Sequence, residues 1–153
     1  MSRLPSLLPF ALWNSTRDAL KRGDHALCLV SIPSLDRYAT AGPAPIGGIV
    51  FTGDPDRFTK LYNLIDSGVP LEPIHIFYEP GRPANEAERK ILGLDEIPET
   101  IGFAQGRHRY ALLRHNNWRS VFACVPKEQV EWFNRHLCST DADCVLVANP
   151  AGD

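Results

Sequence analysis

The stretch that most constrains the fold is Gly102-Phe103-Ala104-Gln105-Gly106-Arg107-His108-Arg109-Tyr110-Ala111-Leu112-Leu113-Arg114, a short apolar strand that runs through one glycine into a helix. The start of a helix leaves backbone N–H groups without intrahelical partners and carries about half a positive charge. Two guanidiniums and an imidazole in that first turn make a site for phosphate or another anion. No Asp or Glu occurs from Gly102 to Lys127, whereas Arg107, Arg109, Arg114, Arg119 and Lys127 all fall inside. The whole chain carries a net charge of −2, which argues against coating nucleic acid by bulk attraction, so any such contact is expected to be local.

Around this unit, strand and helix patterns alternate. Residues 14–23 read as a short capped helix stopping at Gly23. Ala26-Leu27-Cys28-Leu29-Val30-Ser31-Ile32 reads as a buried strand, the Pro- and Gly-rich residues 33–45 as a loop, and residues 46–52 as a second strand. The next helix has Asp54 as N-cap, Pro55 at its first position and Gly68 beyond its end. Its Phe58, Leu61, Tyr62 and Ile65 recur at helical spacing, predicting one buried stripe. A strand over 73–79 leads into the acidic residues 80–98, read as a loop with a short helix near 85–92. After the central unit come a strand at 120–125, a helix near 126–137 with Val130, Phe133 and Leu137 on one face, and a short strand at 144–147. This alternation predicts a small α/β (α+β) fold, a mixed sheet with packed helices.

At 153 residues a single domain over 1–153 is the economical reading, with residues 1–13 as an N-terminal arm packed on it. Cys28, Cys124, Cys138 and Cys144 include no CxxC pair, and the arm lacks a small-residue cleavage site after its apolar run. Reduced structural thiols and a cytoplasmic location are therefore expected. No apolar run approaches the ~20 residues of a membrane span.

A helix ending in Ile65-Asp66-Ser67-Gly68, then Glu72-Pro73-Ile74-His75-Ile76, then Gln105-Gly106-Arg107-His108-Arg109-Tyr110-Ala111 resembles the ParB/sulfiredoxin superfamily. Its members carry a helix, a Pro-Ile strand and a Gly-x-His-Arg type box opening a helix. The resemblance spans residues 46–125, the core motif region, and implies a compact single-domain ParB/sulfiredoxin-like fold. Within that superfamily the chain is most similar to the plasmid fertility-inhibition factors of the oncogenic-suppression type. That resemblance implies interference with conjugative, type IV secretion DNA transfer, with nucleotide hydrolysis and DNase activity as candidate chemistry. Sulfiredoxins place a reactive Cys where this chain has Arg107, so sulfinic acid reduction is not expected. The residues after Val125 are few for the helix-turn-helix and dimerisation segments of chromosomal ParB proteins, so centromere binding of that type is not expected.

Each candidate residue has a plainer alternative. Gly106 lets the backbone approach a phosphate closely, or simply turns strand into helix. Arg107 and Arg109 pair with nucleotide or DNA phosphates, or with the acidic segment. His108 donates to a phosphate or acts as acid/base, or is a buried histidine bonded to backbone. Gln105 orients a water or contacts a base edge, or satisfies backbone groups. Hydrolysis also needs an activated water, and ATP (or another nucleotide) with Mg²⁺ is the expected cofactor set. In kinase-like members of the superfamily an acidic residue upstream of the Pro-Ile strand serves as base, which points to Asp56, with Glu72 second. Asp54 is foremost a helix cap, Asp56 also suits the helix dipole, and Glu79 can instead pair with the arginines. His75 is expected to pack on its strand, and His136 with Cys138 and Cys144 lack an evident fourth metal ligand. Trp118 can stack a nucleobase but better suits anchoring the helix to the next strand.

Two functions compete. One is an ATPase/DNase acting through Gly106, Arg107, His108 and Arg109. The other is a non-catalytic binder of a coupling protein or other transfer-machinery component, or a nucleotide-binding switch. Expected partners are DNA, nucleotide and such a component, with no membrane span.

Overall fold

The computed structural model describes residues 9–11, 14–39, 55–67, 71–139 and 145–147. In chain order the elements are β1 (Pro9–Ala11), α1 (Asn14–Arg22), β2 (His25–Ser31), α2 (Ile32–Ala39), α3 (Pro55–Asp66), β3 (Ile74–Glu79), β4 (Arg82–Pro83), α4 (Glu86–Leu92), β5 (Glu96–Ile97), β6 (Thr100–Gln105), α5 (Arg107–His115), β7 (Ser120–Pro126), α6 (Val130–His136) and β8 (Val145–Val147). The result is an α/β fold built on a mixed four-stranded sheet in the order β2-β7-β3-β6.

β7 is an interior strand of this sheet because 121–125 is a continuous apolar run, the pattern of a strand covered on both faces. Val121, Ala123 and Val125 are completely buried, as is Val30 on β2. β2 and β7 run antiparallel along their whole length, from His25↔Pro126 to Ser31↔Ser120. β7 meets β3 in parallel over only two positions, Ile74↔Ala123 and His75↔Cys124. β3 and β6 are antiparallel, with a register shift between His75 and Ile76 that sets Ala104 and Gln105 out of step just before Gly106. A bulge there bends the strand and re-aims its last side chains.

Helices close the core. α5 buries Tyr110, Ala111, Leu112 and Leu113, and α6 buries Phe133 with Leu137 just beyond it, as their spacing predicts. α1 ends at Gly23, whose φ of 82° is the left-handed turn that glycine makes without strain. β1 pairs in parallel with β8, so the arm contributes a strand at 9–11.

Two expectations are corrected. Residues 33–45 are not wholly loop, since 32–39 form α2. Ser31 Oγ accepts from Ser34 N at 3.3 Å, a helix-start signal, and Pro33 sits in the first turn, where its missing N–H does no harm. Ile32 and Leu35, three apart, are both buried, which is the apolar stripe that makes the segment helical rather than extended. The stripe on α3 is the second correction, because Tyr62 is 54 % exposed. α3 packs on α5 with Leu61 half-buried, and the next position lies a quarter-turn round the helix. The side chains of Phe58 and Ile65, the residues 46–52, and Asp54, Gly68 and Cys144 lie outside the described residues.

The acidic segment folds as a small excursion. β4 and β5 pair as Arg82↔Ile97 and Pro83↔Glu96, and α4 between them carries a full capping box, with Asn85 and Glu88 exchanging side-chain and backbone bonds. Arg82 binds Glu88 through both guanidinium ends at 2.6 and 2.7 Å.

Candidate functional site

The sequence box folds as a strand end, a turn and a helix start around one cleft. Gly106 has φ 93° and ψ 13° and is the N-cap of α5, with no side chain capping the helix. A Cβ there would lie 2.6 Å from Ile74 Cγ2 and 2.9 Å from Arg109 Nη2, so both conformation and space require glycine. The close approach of Ile74 joins the Pro-Ile strand directly to the box. A cleft of about 580 Å³ opens at this turn, lined by Leu61, Phe103, Ala104, Gln105, Gly106, Arg107, His108 and Arg109. Its volume falls in the small-ligand range.

The structure therefore brings Gln105, Gly106, Arg107, His108 and Arg109 together. Gln105 and Arg107 are exposed, whereas His108 and Arg109 are half-buried. Arg109 also reaches back, donating from Nη2 to the Pro73 carbonyl at 3.3 Å. Asp56 is exposed in the first turn of α3 and does not line the cleft. Arg114 turns away to α2, where Asp36 accepts from its Nε at 2.5 Å and from the buried Tyr110 hydroxyl at 3.1 Å. The local positive field is accordingly narrower than the run of basic residues implies. Trp118 is buried in the core, an anchor between α5 and β7.

Glu72 sits in a cluster that sequence reading missed. Thr16 Oγ1 donates to Glu72 Oε1 at 2.9 Å, Ser15 Oγ donates to the same oxygen, and His75 Nε2 stands 3.8 Å from it. His75 Nε2 also lies 2.9 Å from Thr16 Oγ1. A hydroxyl has one hydrogen: where Thr16 gives its own to Glu72, the contact with His75 takes the imidazole proton on Nε2, and the donor and acceptor roles follow the tautomer. Thr16 is completely buried and His75 is 9 % exposed. Burial opposes ionisation of Glu72. The nearby His75 imidazole, the Ser15 and Thr16 hydroxyls and the Arg109 charge overcome that and hold the carboxyl down at about 2. Such a carboxylate is a firm acceptor and a weak base at neutral pH. Nothing in the sequence joins Ser15-Thr16 to Glu72; only the docking of α1 against the start of β3 does.

Cys28, Cys124 and Cys138 are free thiols, the first two buried, and burial raises Cys124 to about 11, which makes it unreactive. Among the described residues no group of three or more His, Cys, Asp or Glu side chains gathers as a metal site. Among them, too, no helix is long and apolar enough to cross a membrane.

Fold and site together define a mixed α/β domain with a candidate anion cleft at the start of one helix. Compared with known proteins, the chain matches no protein-family model, no curated sequence and no solved structure.

Proposed function

We propose that this chain is a phosphate-handling domain of ParB/sulfiredoxin type, binding a nucleotide, ATP with Mg²⁺, at the Gly106 turn. In that reading it serves as a plasmid fertility-inhibition factor that blocks conjugative DNA transfer, with nucleotide hydrolysis and DNA cleavage at the box. The observation that carries it is the start of α5 on a glycine turn, with Arg107, His108 and Arg109 lining one cleft of about 580 Å³. Backbone N–H groups and guanidiniums there neutralise phosphate charge, and phosphoryl transfer asks chiefly for positioning and charge stabilisation. The contact of Ile74 with Gly106 supports the resemblance, because its two separate motifs adjoin in space. Mg²⁺ in this reading enters on the nucleotide's phosphates, as it commonly does.

A second reading, binding without turnover, is favoured by a specific observation. Glu72 is held at about 2 by its hydrogen bonds, and Asp56 is not part of the cleft wall. A Glu72 so held is a weak base at neutral pH. The chain then acts by occupying a coupling protein or another transfer component.

The test is ATP binding by calorimetry together with phosphate release and plasmid cleavage, for wild type and Arg107→Ala. Arg107 is exposed, so the variant is expected to keep its Tm while ATP binding weakens about tenfold, the worth of one charge-assisted contact. Turnover lost in step supports the hydrolase. Binding without product supports the second reading. No binding by wild type overturns the nucleotide assignment.

A further inference from the structure

The Thr16 cluster invites a question that its packing alone does not answer. Buried polar groups are retained where they are fully bonded, yet an apolar pair could fill this space between α1 and β3. Three parts of the chain meet here. α1 supplies Ser15 and Thr16, β3 and the turn just before it supply His75 and Glu72, and α5 brings Arg109 to the neighbouring Pro73 carbonyl. Thr16 Oγ1 lies 2.9 Å from both Glu72 Oε1 and His75 Nε2, so the cluster ties α1 to the backbone at Glu72 and Pro73. Arg109 is in turn fixed to the Pro73 carbonyl, next to Glu72 in sequence. It also lines the cleft. One guanidinium thus belongs both to the buried cluster and to the cleft wall.

We propose that Thr16 and His75 are positioning residues of the cleft: by fixing Glu72 and with it the adjoining Pro73 carbonyl, they hold the Arg109 guanidinium in place, ready for an anion at the Gly106 turn. This rests on the phosphate-binding reading above. A guanidinium that is already ordered spends less rotamer entropy when it binds an anion, so the cluster acts by preorganisation.

Charge and position can be separated by choice of substitution. Thr16→Val removes the central hydroxyl and leaves every charge where it was. Glu72→Gln keeps the shape and removes the charge. Inorganic pyrophosphate is the probe, free of any nucleobase, and calorimetric Kd is read beside Tm for wild type, Thr16→Val, Thr16→Ser and Glu72→Gln. If the cluster positions Arg109, Thr16→Val weakens pyrophosphate about tenfold, the worth of one hydrogen bond to a charged group. Thr16→Ser restores the affinity, and Glu72→Gln weakens it too. If Glu72 merely offsets the Arg109 charge, Glu72→Gln tightens binding and Thr16→Val changes nothing, which overturns the proposal while leaving the phosphate site intact. Should Thr16→Val fail to fold, the Glu72→Gln sign decides alone. Wild type that binds no pyrophosphate overturns both the positioning role and the site it serves.

Discussion

At the scale of single residues, two positions carry opposite kinds of demand. Gly106 is required by geometry, and Gly106→Ala is expected to lose about 1–2 kcal/mol from the left-handed backbone. Its methyl group against Ile74 loses a further ~1–3 kcal/mol from overpacking. Urea midpoints measure that loss, and an unchanged midpoint would mean the turn relaxes freely. Glu72 is required by charge. Its folded carboxyl lies at about 2 against an ordinary 4.5, so the unfolded chain binds more protons between those values, and stability rises with pH there. The contribution is full above about pH 4.5 and is lost as pH falls through about 2. Glu88, bonded by Arg82, is also held at about 2, so the comparison belongs in a Glu88→Gln background. In it, Glu72→Gln is expected to flatten the loss of stability between pH 4.5 and 2 in urea melts. Equal slopes with and without Glu72 would place the acid sensitivity elsewhere.

At the scale of elements, side chains finish what the ladders begin. β3 leaves β7 after His75, and further along Gln129 takes over: its Oε1 accepts from Tyr78 N at 2.8 Å, and its Nε2 donates to Tyr78 O at 3.0 Å. One amide thus stands in for a strand residue, and Trp132 of α6 stacks on Tyr78 at 3.9 Å over the same spot. Gln129→Ala strands two backbone groups and is expected to destabilise by about 1–3 kcal/mol in urea melts; a loss near zero would mean water replaces the amide. Such a role was illegible in the sequence, because nothing local marks a glutamine as a mock strand. The elements with local punctuation were legible. Gly23, Pro55, Asn85 and Gly106 each sit at a boundary that their own backbone chemistry dictates. α2 was misread because Ser31 and Pro33 signal a turn and a helix start alike, and only the burial of Ile32 and Leu35 decides between them. The box was readable for the same reason, as five consecutive residues. The Thr16 cluster was not, since its members meet only through tertiary docking.

At the scale of the whole molecule, stability is unevenly spread. α4 buries none of its residues, and its unit is held by Ala84, Ile97 and two strand pairings. Its Ile91 is 81 % exposed. Amide hydrogen exchange is expected to run fast over α4, at a low local opening energy. The β7 amides, between β2 and β3, should exchange only on global unfolding. Protection of α4 equal to that of β7 would show one cooperative unit instead of two.

The register of β2 against β7 has a further consequence during synthesis. His25 waits for Pro126, and Ser31 for Ser120, so the first long strand emerges from the ribosome well before its partner exists. Non-local pairing of this kind folds slowly and leaves apolar surface uncovered meanwhile. The open edge of β2 is therefore expected to stay unpaired until β7 is made, and Leu27, Leu29 and Val30 to stay incompletely buried until α6, which also packs on β2, follows it.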